Sequence, residues 1–334
     1  MFFPSTRIPG LGVSGHSFPV FGGRPSGQGS AARAFYVDPA NGSDGNSGDS
    51  PETALDTVSA AYALTVDKRG DVIYLLNDGN TSGTSREDST ITWANDNTHL
   101  IGMCAPTFIS QRARISPPTT QTTIVTPQLT VSGNGNIFAN ISLFEGTSQD
   151  STASECVRVT GDRNYFYNVA MMNLGDATNG HSGDEAASCH LKISGGEENL
   201  FVDCTIGLDT AARSTTNANV ELVSAAARNV FRGCLFPAFA DNAGALFVKI
   251  DGSGDIDRYV IFDRCLFVNA DNSSGTTMTG GMDVHASAGG HVIVKDCGLV
   301  GATDWEAADS SVIRLLGAAP AALTTGIAVD VDVA

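Results

Sequence analysis

The chain has 334 residues, of which 36 are acidic and 19 are basic, so its formal net charge at pH 7 is −17. This charge argues against nucleic acid as a partner, because an acidic surface repels the phosphate backbone. The sequence has no apolar stretch of about 18 residues, which excludes a membrane-spanning helix. Its hydrophobic fraction of 42% is enough to bury a substantial core.

Residues 1–34 differ in composition from the rest of the chain, and we interpret them as an extended arm. They include three arginines and no acidic residue, together with many glycines, prolines and large apolar residues. Its glycines and prolines interrupt regular structure too often for the segment to fold alone, and its apolar residues are too many for a solvated tail. We therefore expect it to anchor the protein to a neighbouring subunit or a larger assembly. The predicted anchoring residues are Phe2, Phe3, Arg7, Phe18, Phe21 and Arg24.

Residues 35–70 predict one strand and one helix. The strand covers Phe35–Val37, and a turn-rich link follows it. Ser50 is the predicted N-cap of the helix and Pro51 its first residue, and the helix ends before Gly70. Its predicted apolar face consists of Ala54, Leu55, Val58, Ala61, Tyr62 and Leu64.

Residues 71–334 carry short strands and an internal repeat. The first predicted strands are Asp71–Leu76, Thr90–Trp93, Leu100–Met103 and Arg112–Ser116. Six similar phrases then recur about every thirty residues: NIFANI, NYFYNV, NLFVDC, NVFRGC, VIFDRC and VIVKDC. An alternating apolar stretch and a Gly/Asn/Asp/Ser turn precede the phrases, so each unit predicts a strand, a tight turn, a strand and a variable loop. Self-similarity at this period is typical of stacked coils.

The fold that these coils favour is all-β, a right-handed parallel β-helix, with the short helix at its N-terminal end. Leucine-rich and ankyrin repeats have a similar length but need signatures that these coils lack. Neighbouring coils of a β-helix pair in parallel about 4.8 Å apart, so six coils give a rod on the order of 30 Å long.

Four of the phrases end in a cysteine, namely Cys204, Cys234, Cys265 and Cys297. The same position is Ile141 and Val169 in the two earlier phrases, which indicates a column of small side chains that fills the core. Stacked residues in adjacent coils have parallel Cβ vectors and lie too far apart for a disulfide. We therefore expect buried free thiols.

The other cysteines follow the alternation of their own strands. Cys189 is in phase with Leu191 and is expected to point inward, whereas Cys156 is out of phase with Val157. The sequence has no CxxC pair and no matching histidine spacing, so we predict neither a zinc site nor any other cofactor.

The order of the N-terminal motifs adds a resemblance to these observations. YVDPANGSDGNSGDSPETA, a short helix, GDVIYLLNDGN and HLIGM are similar to the first part of pectate-lyase-like parallel β-helix proteins, including many phage tail-spike and virion surface proteins. The resemblance covers roughly residues 35–300. It implies that the helix caps the open end of the rod and that the protein is a homotrimer. One fold hosts lyases, hydrolases and inert structural proteins, so the resemblance implies no single activity.

Candidate catalytic residues lie in the long insertion at residues 173–189. The NTD, GHG and RIK phrases of polygalacturonases and the RxPxxR pattern of pectate lyases are absent from the chain. The insertion offers a set of acid and base groups within ten positions, Asp176, His181, Asp184 and Glu185. Because loops of an acidic solenoid often contain such residues, we favour a solvated loop. If a sugar groove exists, we expect it along the edge that carries the other insertions, with Asp209 and Arg213, Asp241, and Asp271.

We expect the isolated histidines and tryptophans, and the end of the chain, to have structural roles rather than binding roles. The histidines on or beside strands are expected to face solvent, namely His99, His190, His285 and His291. Trp93 and Trp305 are expected to fill or cap a core. Residues 327–333 alternate as a final strand whose acidic face blunts the exposed end of the solenoid.

The function that the sequence favours is that of a non-enzymatic bacteriophage virion protein. We expect a capsid decoration or cement protein that projects a β-helix from the particle, with residues 1–34 bound to the major capsid protein or another virion protein. The N-terminal sequence MFFPSTRIPGLGV lacks the features of a secretory leader, which agrees with assembly in the cytosol. The alternative is a tail-spike-like receptor-binding protein or a depolymerase of surface polysaccharide. A secreted pectinolytic lyase or hydrolase is the third hypothesis.

Overall fold

The computed structural model describes residues 20–21, 24–25, 32–77, 79, 83–107, 109, 113–147, 153–176, 180–181, 185–270, 276–307 and 312–317. Nearly all regular structure in these ranges is β-strand, and the strands of successive coils pair in parallel to form three long sheets. The predicted parallel β-helix is confirmed.

The three sheets run along the rod, and we number them in the order in which each coil enters them. The strands of sheet 1 are Ala34–Val37, Val72–Leu76, His99–Met103, Ile137–Ala139, Tyr165–Tyr167, Leu200–Val202, Val230–Arg232, Tyr259–Asp263, His291–Lys295 and Ile313–Leu316. Those of sheet 2 are Thr84–Arg86, Arg114–Ser116, Ser142–Thr147, Ala170–Asp176, Thr205–Ile206, Leu235–Ala238, Leu266–Asn269 and Gly298–Val300, with Gly180–His181 paired antiparallel at its side. Those of sheet 3 are Ile91–Trp93, Leu129–Val131, Glu155–Val159, Cys189–Ser194, Ala218–Val223, Leu246–Ile250, Met278–Val284 and Ala302–Glu306.

Each coil has one strand more than the repeat predicts. The predicted strands of sheets 1 and 3 agree with the observed ones to within a few residues, but of sheet 2 only Arg114–Ser116 was predicted, as Arg112–Ser116. In the coil that carries the third phrase, only Asp203 and Cys204 separate Leu200–Val202 in sheet 1 from Thr205–Ile206 in sheet 2. Asp203 has a φ of 51°, and this left-handed residue turns the chain through the corner without a glycine or proline cluster. The equivalent corners use Asn140, Asn168, Gly233, Arg264 and Asp296.

The helix predicted after Ser50 is divided into two short pieces, a 3-10 helix at Pro51–Thr53 and an α-helix at Val58–Ala63. Between them, Leu55 forms an isolated parallel bridge with Val37, and this extended pairing interrupts the helix. Thr57 is the N-cap of the α-helix, and its side chain accepts a backbone N–H three residues later. The buried residues of the α-helix, Val58 and Ala61, join the main core at the N-terminal end of the rod.

The interior is filled by columns of like side chains. The largest column stacks the rings of neighbouring coils at centroid distances of 5.0, 4.6, 4.6 and 4.8 Å, from Phe138 through Phe166, Phe201 and Phe231 to Phe262. Trp93 packs edge-on against the first ring of this column, and Trp305 packs edge-on against Phe267. Both tryptophans are therefore core residues, in agreement with the sequence.

The four phrase-ending cysteines form a second interior column beside the phenylalanines. All four are buried, and all seven cysteines of the chain are free thiols. Each Sγ donates to a phenylalanine carbonyl of the preceding coil, as Cys234 does to Phe201 at 3.5 Å and Cys265 to Phe231 at 3.4 Å. Burial raises the pKa of the Cys234 and Cys265 thiols well above the usual value. This column therefore packs the corner and is held in an unreactive form.

The sheet 3 strands break strict alternation, and this corrects two expectations. Glu155 pairs with Cys189 and Val157 with Leu191, while Cys156 is skipped. Cys156 consequently belongs to the main core together with Val157, although it was expected to be out of phase. Cys189 is buried outside that core, among the charges of the outer face, so its expected inward direction is wrong.

The predicted arm and the predicted final strand fall largely outside the described residues. Phe2, Phe3, Arg7 and Phe18 lie outside them, and for Phe21 and Arg24 the structure describes the backbone alone, as an antiparallel pair. Residues 327–333 also lie outside. No helix within the described ranges is long and apolar enough to cross a membrane.

Candidate functional site

The acidic insertion leaves sheet 2 directly after the strand Ala170–Asp176. Its backbone turns back at once, since Asp176 pairs with Gly180 and Gly175 with His181. Asp184 lies outside the described residues, and nothing is described of the Asp176 and His181 side chains. Two of the four candidates thus share one hairpin, and their catalytic role stays a prediction.

Glu185, the fourth candidate, lies where the insertion rejoins the coil. Its backbone carbonyl accepts the Nδ2 group of Asn217 at 3.3 Å, which ties the insertion to the next coil. The Glu185 side chain is half-buried.

A cleft of about 120 Å³ lies on the outer face of sheet 2, beneath the loop that follows Thr205–Ile206. Residues from five successive coils line it: Ile109, Arg114, Phe144, Met172, Thr205, Gly207, Leu208, Asp209, Thr210 and Pro237. Coils are spaced about 4.8 Å apart, so the lining extends roughly 19 Å along the rod. The cleft lies on the edge where the sequence places a sugar groove.

The floor of the cleft is apolar and is formed by paired strands of sheet 2. Phe144 and Met172 are register partners on adjacent strands, and each follows a residue that points into the rod. Met172 packs with Leu208 of the covering loop in a small cluster separate from the main core. The loop is therefore held on the sheet by burial of apolar side chains.

The rim of the cleft carries polar groups. The Arg114 guanidinium lies over the Phe144 ring, 5.4 Å from its centroid. Asp209 and Thr210 are exposed on the covering loop. A cation on an aromatic ring, a carboxylate and a hydroxyl are groups that bind sugar hydroxyls while an apolar floor packs against a sugar ring.

The carboxylates of the described lining bear on whether the cleft has the groups for sugar hydrolysis. Asp209 is the one carboxylate among the described residues that line the cleft. Glycoside hydrolysis in most families uses two carboxyl groups that flank the scissile bond. The described part of the site thus supplies recognition groups without that pair.

Arg213, which was placed on the same edge as Asp209, is buried beneath the covering loop. It is 3% exposed, and its Nε donates to Asn217 Oδ1 at 2.6 Å. Its Nη1 donates to Asn219 Oδ1 at 2.7 Å, and its Nη2 donates to the Leu246 carbonyl at 2.9 Å. Burial lowers the pKa of Arg213 to about 9, so the side chain is still cationic at pH 7.

Two of the four histidines expected to face solvent are buried. His99 Nδ1 accepts the backbone N–H of Ile137 at 3.1 Å, and His190 Nδ1 accepts that of Asn173 at 2.8 Å. Burial lowers the pKa of His99 to about 4 and that of His190 to about 3. Both are therefore neutral structural acceptors, whereas His285 and His291 are exposed as expected.

The described ranges contain no group of three or more His, Cys, Asp or Glu side chains placed to hold a metal ion. Asp209 and Asp241 are both exposed on their loops, and Asp271 lies outside the described residues.

The comparisons with known proteins support the fold alone. No family model matches the chain, and no curated protein matches it either. Among solved structures, the chain is similar to the pectate lyase Pel9A, with 16% identity and a TM-score of 0.52 over 80% of this chain and 63% of that one. A rhamnogalacturonan lyase is similar at 15% identity, with a TM-score of 0.52 over 79% of this chain and 67% of that one.

These neighbours are parallel β-helix proteins of the pectate-lyase-like kind, and the predicted resemblance is confirmed to that extent. The chain spans less than two thirds of the length of Pel9A. At such low identity a shared fold implies no shared activity. The phage virion surface kind stays a prediction.

Most of the cleft was not found by sequence reasoning, because its floor belongs to sheet 2. Arg114, Phe144, Met172 and Thr205 lie on strands of that sheet, and of these only the first strand was predicted. A usable signal was present in the residues just after each phrase, where Leu143, Met171 and Ile206 alternate with outward residues. Asp209 was found because it lies in an insertion.

Proposed function

We propose that this protein binds a polysaccharide through the cleft on sheet 2, as a receptor-binding β-helix protein does. The observation that carries the proposal is the combination of an elongated apolar floor with Arg114, Asp209 and Thr210 at the rim. A lining that draws on five coils suits an extended polymer better than a compact ligand.

The charge of the protein favours a neutral polymer as the ligand. The net charge of −17 repels strongly anionic chains, and Asp209 adds a local negative charge at the rim. Hydroxyl groups of a neutral sugar can accept from Arg114 and donate to Asp209. We therefore expect neutral surface polysaccharides to bind more tightly than polyuronates.

Affinity electrophoresis of the full chain in gels that contain neutral or acidic polysaccharides tests the proposal. We expect retardation by at least one neutral polymer and its loss in Asp209→Ala/Thr210→Arg, a double variant confined to exposed rim positions. Asp241→Ala is the matched control, because this exposed aspartate lies on the equivalent loop of the next coil and does not line the cleft. Equal retardation of the double variant and the control contradicts the proposal.

The depolymerase alternative is tested with the same polymers. Release of reducing ends or unsaturated uronates by the intact protein, lost in Asp176→Ala/His181→Ala, supports catalysis by the acidic insertion. Binding without product supports recognition alone.

The virion hypotheses depend on residues 1–34 and stay predictions: a capsid or tail location, a homotrimer, and contact with the major capsid protein. Deletion of residues 1–30 should abolish attachment to a particle and leave the rod folded. Normal incorporation of the truncated protein contradicts the anchoring hypothesis.

A further inference from the structure

A small cavity lies behind the covering loop and is distinct from the sugar cleft. Its lining is Asn173, Ser188, Cys189, His190, Leu208, Ala211, Arg213, Asn217 and Ala218. Its volume of about 10 Å³ is close to the space that one water-sized species requires.

The Arg213 guanidinium brings a full positive charge to this cavity. No carboxylate of the described residues lies within ion-pair distance of it; its described partners are two asparagine side chains and two backbone carbonyls. Four of the five N–H groups of the guanidinium are used in these bonds, which leaves one on Nη1. A buried cation without a counter-ion is costly, because neutral dipoles only partly replace the water it loses.

His190 supplies a second donor to the same cavity. Because its Nδ1 accepts the Asn173 N–H, the neutral ring carries its proton on Nε2. The residue is 6% exposed, and within the described part of the chain Nε2 has no hydrogen-bond partner. Because both residues line the cavity, two N–H donors and one positive charge are available beside a space for a single small species.

We propose that this cavity binds one monatomic anion, with chloride as the physiological ligand. A halide neutralises Arg213 and accepts from both Arg213 Nη1 and His190 Nε2, whereas water supplies no charge. The small volume of the cavity favours a monatomic ion over sulfate, phosphate or a carboxylate. The bound anion fixes Arg213 and so stabilises the loop that carries Asp209 and Thr210 over the cleft.

Thermal unfolding of the full chain measures the effect of the anion. Sodium gluconate is replaced stepwise by sodium chloride or bromide at constant ionic strength, which holds screening fixed. We expect a saturable rise in Tm with either halide, as ligand linkage requires, and no rise with sulfate beyond its general effect on both wild type and variant.

Two variants separate a specific site from a general salt effect. Arg213→Met should lose the halide-dependent part of the shift, and His190→Asn should raise the half-saturating halide concentration several-fold. Arg232→Met is the control, since it removes an arginine that is paired with Asp263 on the outer face of sheet 1. An unchanged halide response in Arg213→Met overturns the proposal.

Crystals of the wild-type protein soaked in bromide give a result that does not depend on the folding of any variant. An anomalous peak within hydrogen-bond distance of Arg213 and His190 supports the site. A water in the cavity, with no anomalous signal at high bromide, shows that the anion does not bind.

Discussion

The side-chain oxygen of Asn199 accepts the backbone N–H of Asn164, 2.9 Å away, although the two residues lie in successive coils. Asn229 does the same for the N–H of Asn199 at 3.0 Å, and Asn164 for that of Asn136 at 2.9 Å. The Nδ2 group of Asn199 also donates to the Gly161 carbonyl at 3.1 Å. This column of asparagines satisfies the buried backbone at the turn between sheets 3 and 1.

Replacement of Asn199 by leucine should therefore destabilise the rod more than a surface change does. The variant leaves the Asn164 N–H and the Gly161 carbonyl buried without these partners, at a cost of about 1–3 kcal/mol for each group. Urea unfolding gives the difference in free energy. Asn134→Leu, at an exposed position in a neighbouring turn, is the control, and an equal loss in both variants contradicts the role of the column.

The phenylalanine column should be most sensitive at its centre. Phe231 stacks on Phe201 at 4.6 Å and on Phe262 at 4.8 Å, and it is fully buried. Phe231→Ala should lower the free energy of unfolding by about 3–5 kcal/mol, and Phe231→Leu by clearly less. If the two variants are equally stable under chemical denaturation, close ring packing does not stabilise this interior.

The cysteine column should contribute to stability by its volume alone, and its thiols should be unreactive in the folded protein. Cys234→Val should change the free energy of unfolding by less than about 1.5 kcal/mol, because Val169 already occupies the equivalent position of an earlier coil. Iodoacetamide at pH 8 should label the half-buried Cys104 first, since burial keeps the Cys234 and Cys265 thiols protonated.

Peptide mass spectrometry reads out the labelling, and all seven cysteines should react once the protein is unfolded in guanidinium. Rapid labelling of Cys234 in the native protein contradicts the assignment to the core.

Acid should weaken the fold through its buried histidines. The pKa of His99 is lowered to about 4, so between about pH 6.5 and 4 the unfolded chain binds a proton that the folded protein does not. Stability contributed by this residue is therefore present above pH 6.5 and is lost as the pH falls towards 4.

His99→Asn, which keeps an acceptor for the Ile137 N–H, should remove up to about 3 kcal/mol of this pH dependence. Urea unfolding at pH 7 and pH 4.5 measures it. His285→Asn, at an exposed site, should leave the dependence unchanged. The same pH profile in both variants shows that His99 does not contribute.

The predictable part of this structure is the part with a strong local pattern. The apolar residue and the last residue of a phrase, such as Phe201 and Cys204, keep the same spacing in all six phrases, so the coil and its interior column follow from the sequence. The asparagine that begins four of the six phrases, such as Asn199, was visible in the same pattern, but its bond to another coil depends on three-dimensional register.

The unpredicted part depends on contacts between distant segments. Cys156 points into the core because its strand pairs irregularly with the next one. Arg213 is buried because its loop folds back over sheet 2. An insertion has no periodic pattern from which this burial could be predicted. For the same reason, the sequence predicted only the edge of the rod on which the cleft lies, and not its lining.

The left-handed corner at Asp203 recurs at Gly233, and the residues on either side occupy equivalent places in their coils. Leu200 pairs with Val230 and Phe201 with Phe231, so residues 200–229 form one complete module. A tandem copy of this module inserted after Asn229 should lengthen the protein by about 4.8 Å and preserve every interior column. Duplication of the gene segment that encodes one coil is thus a route by which such a protein changes the length of its rod.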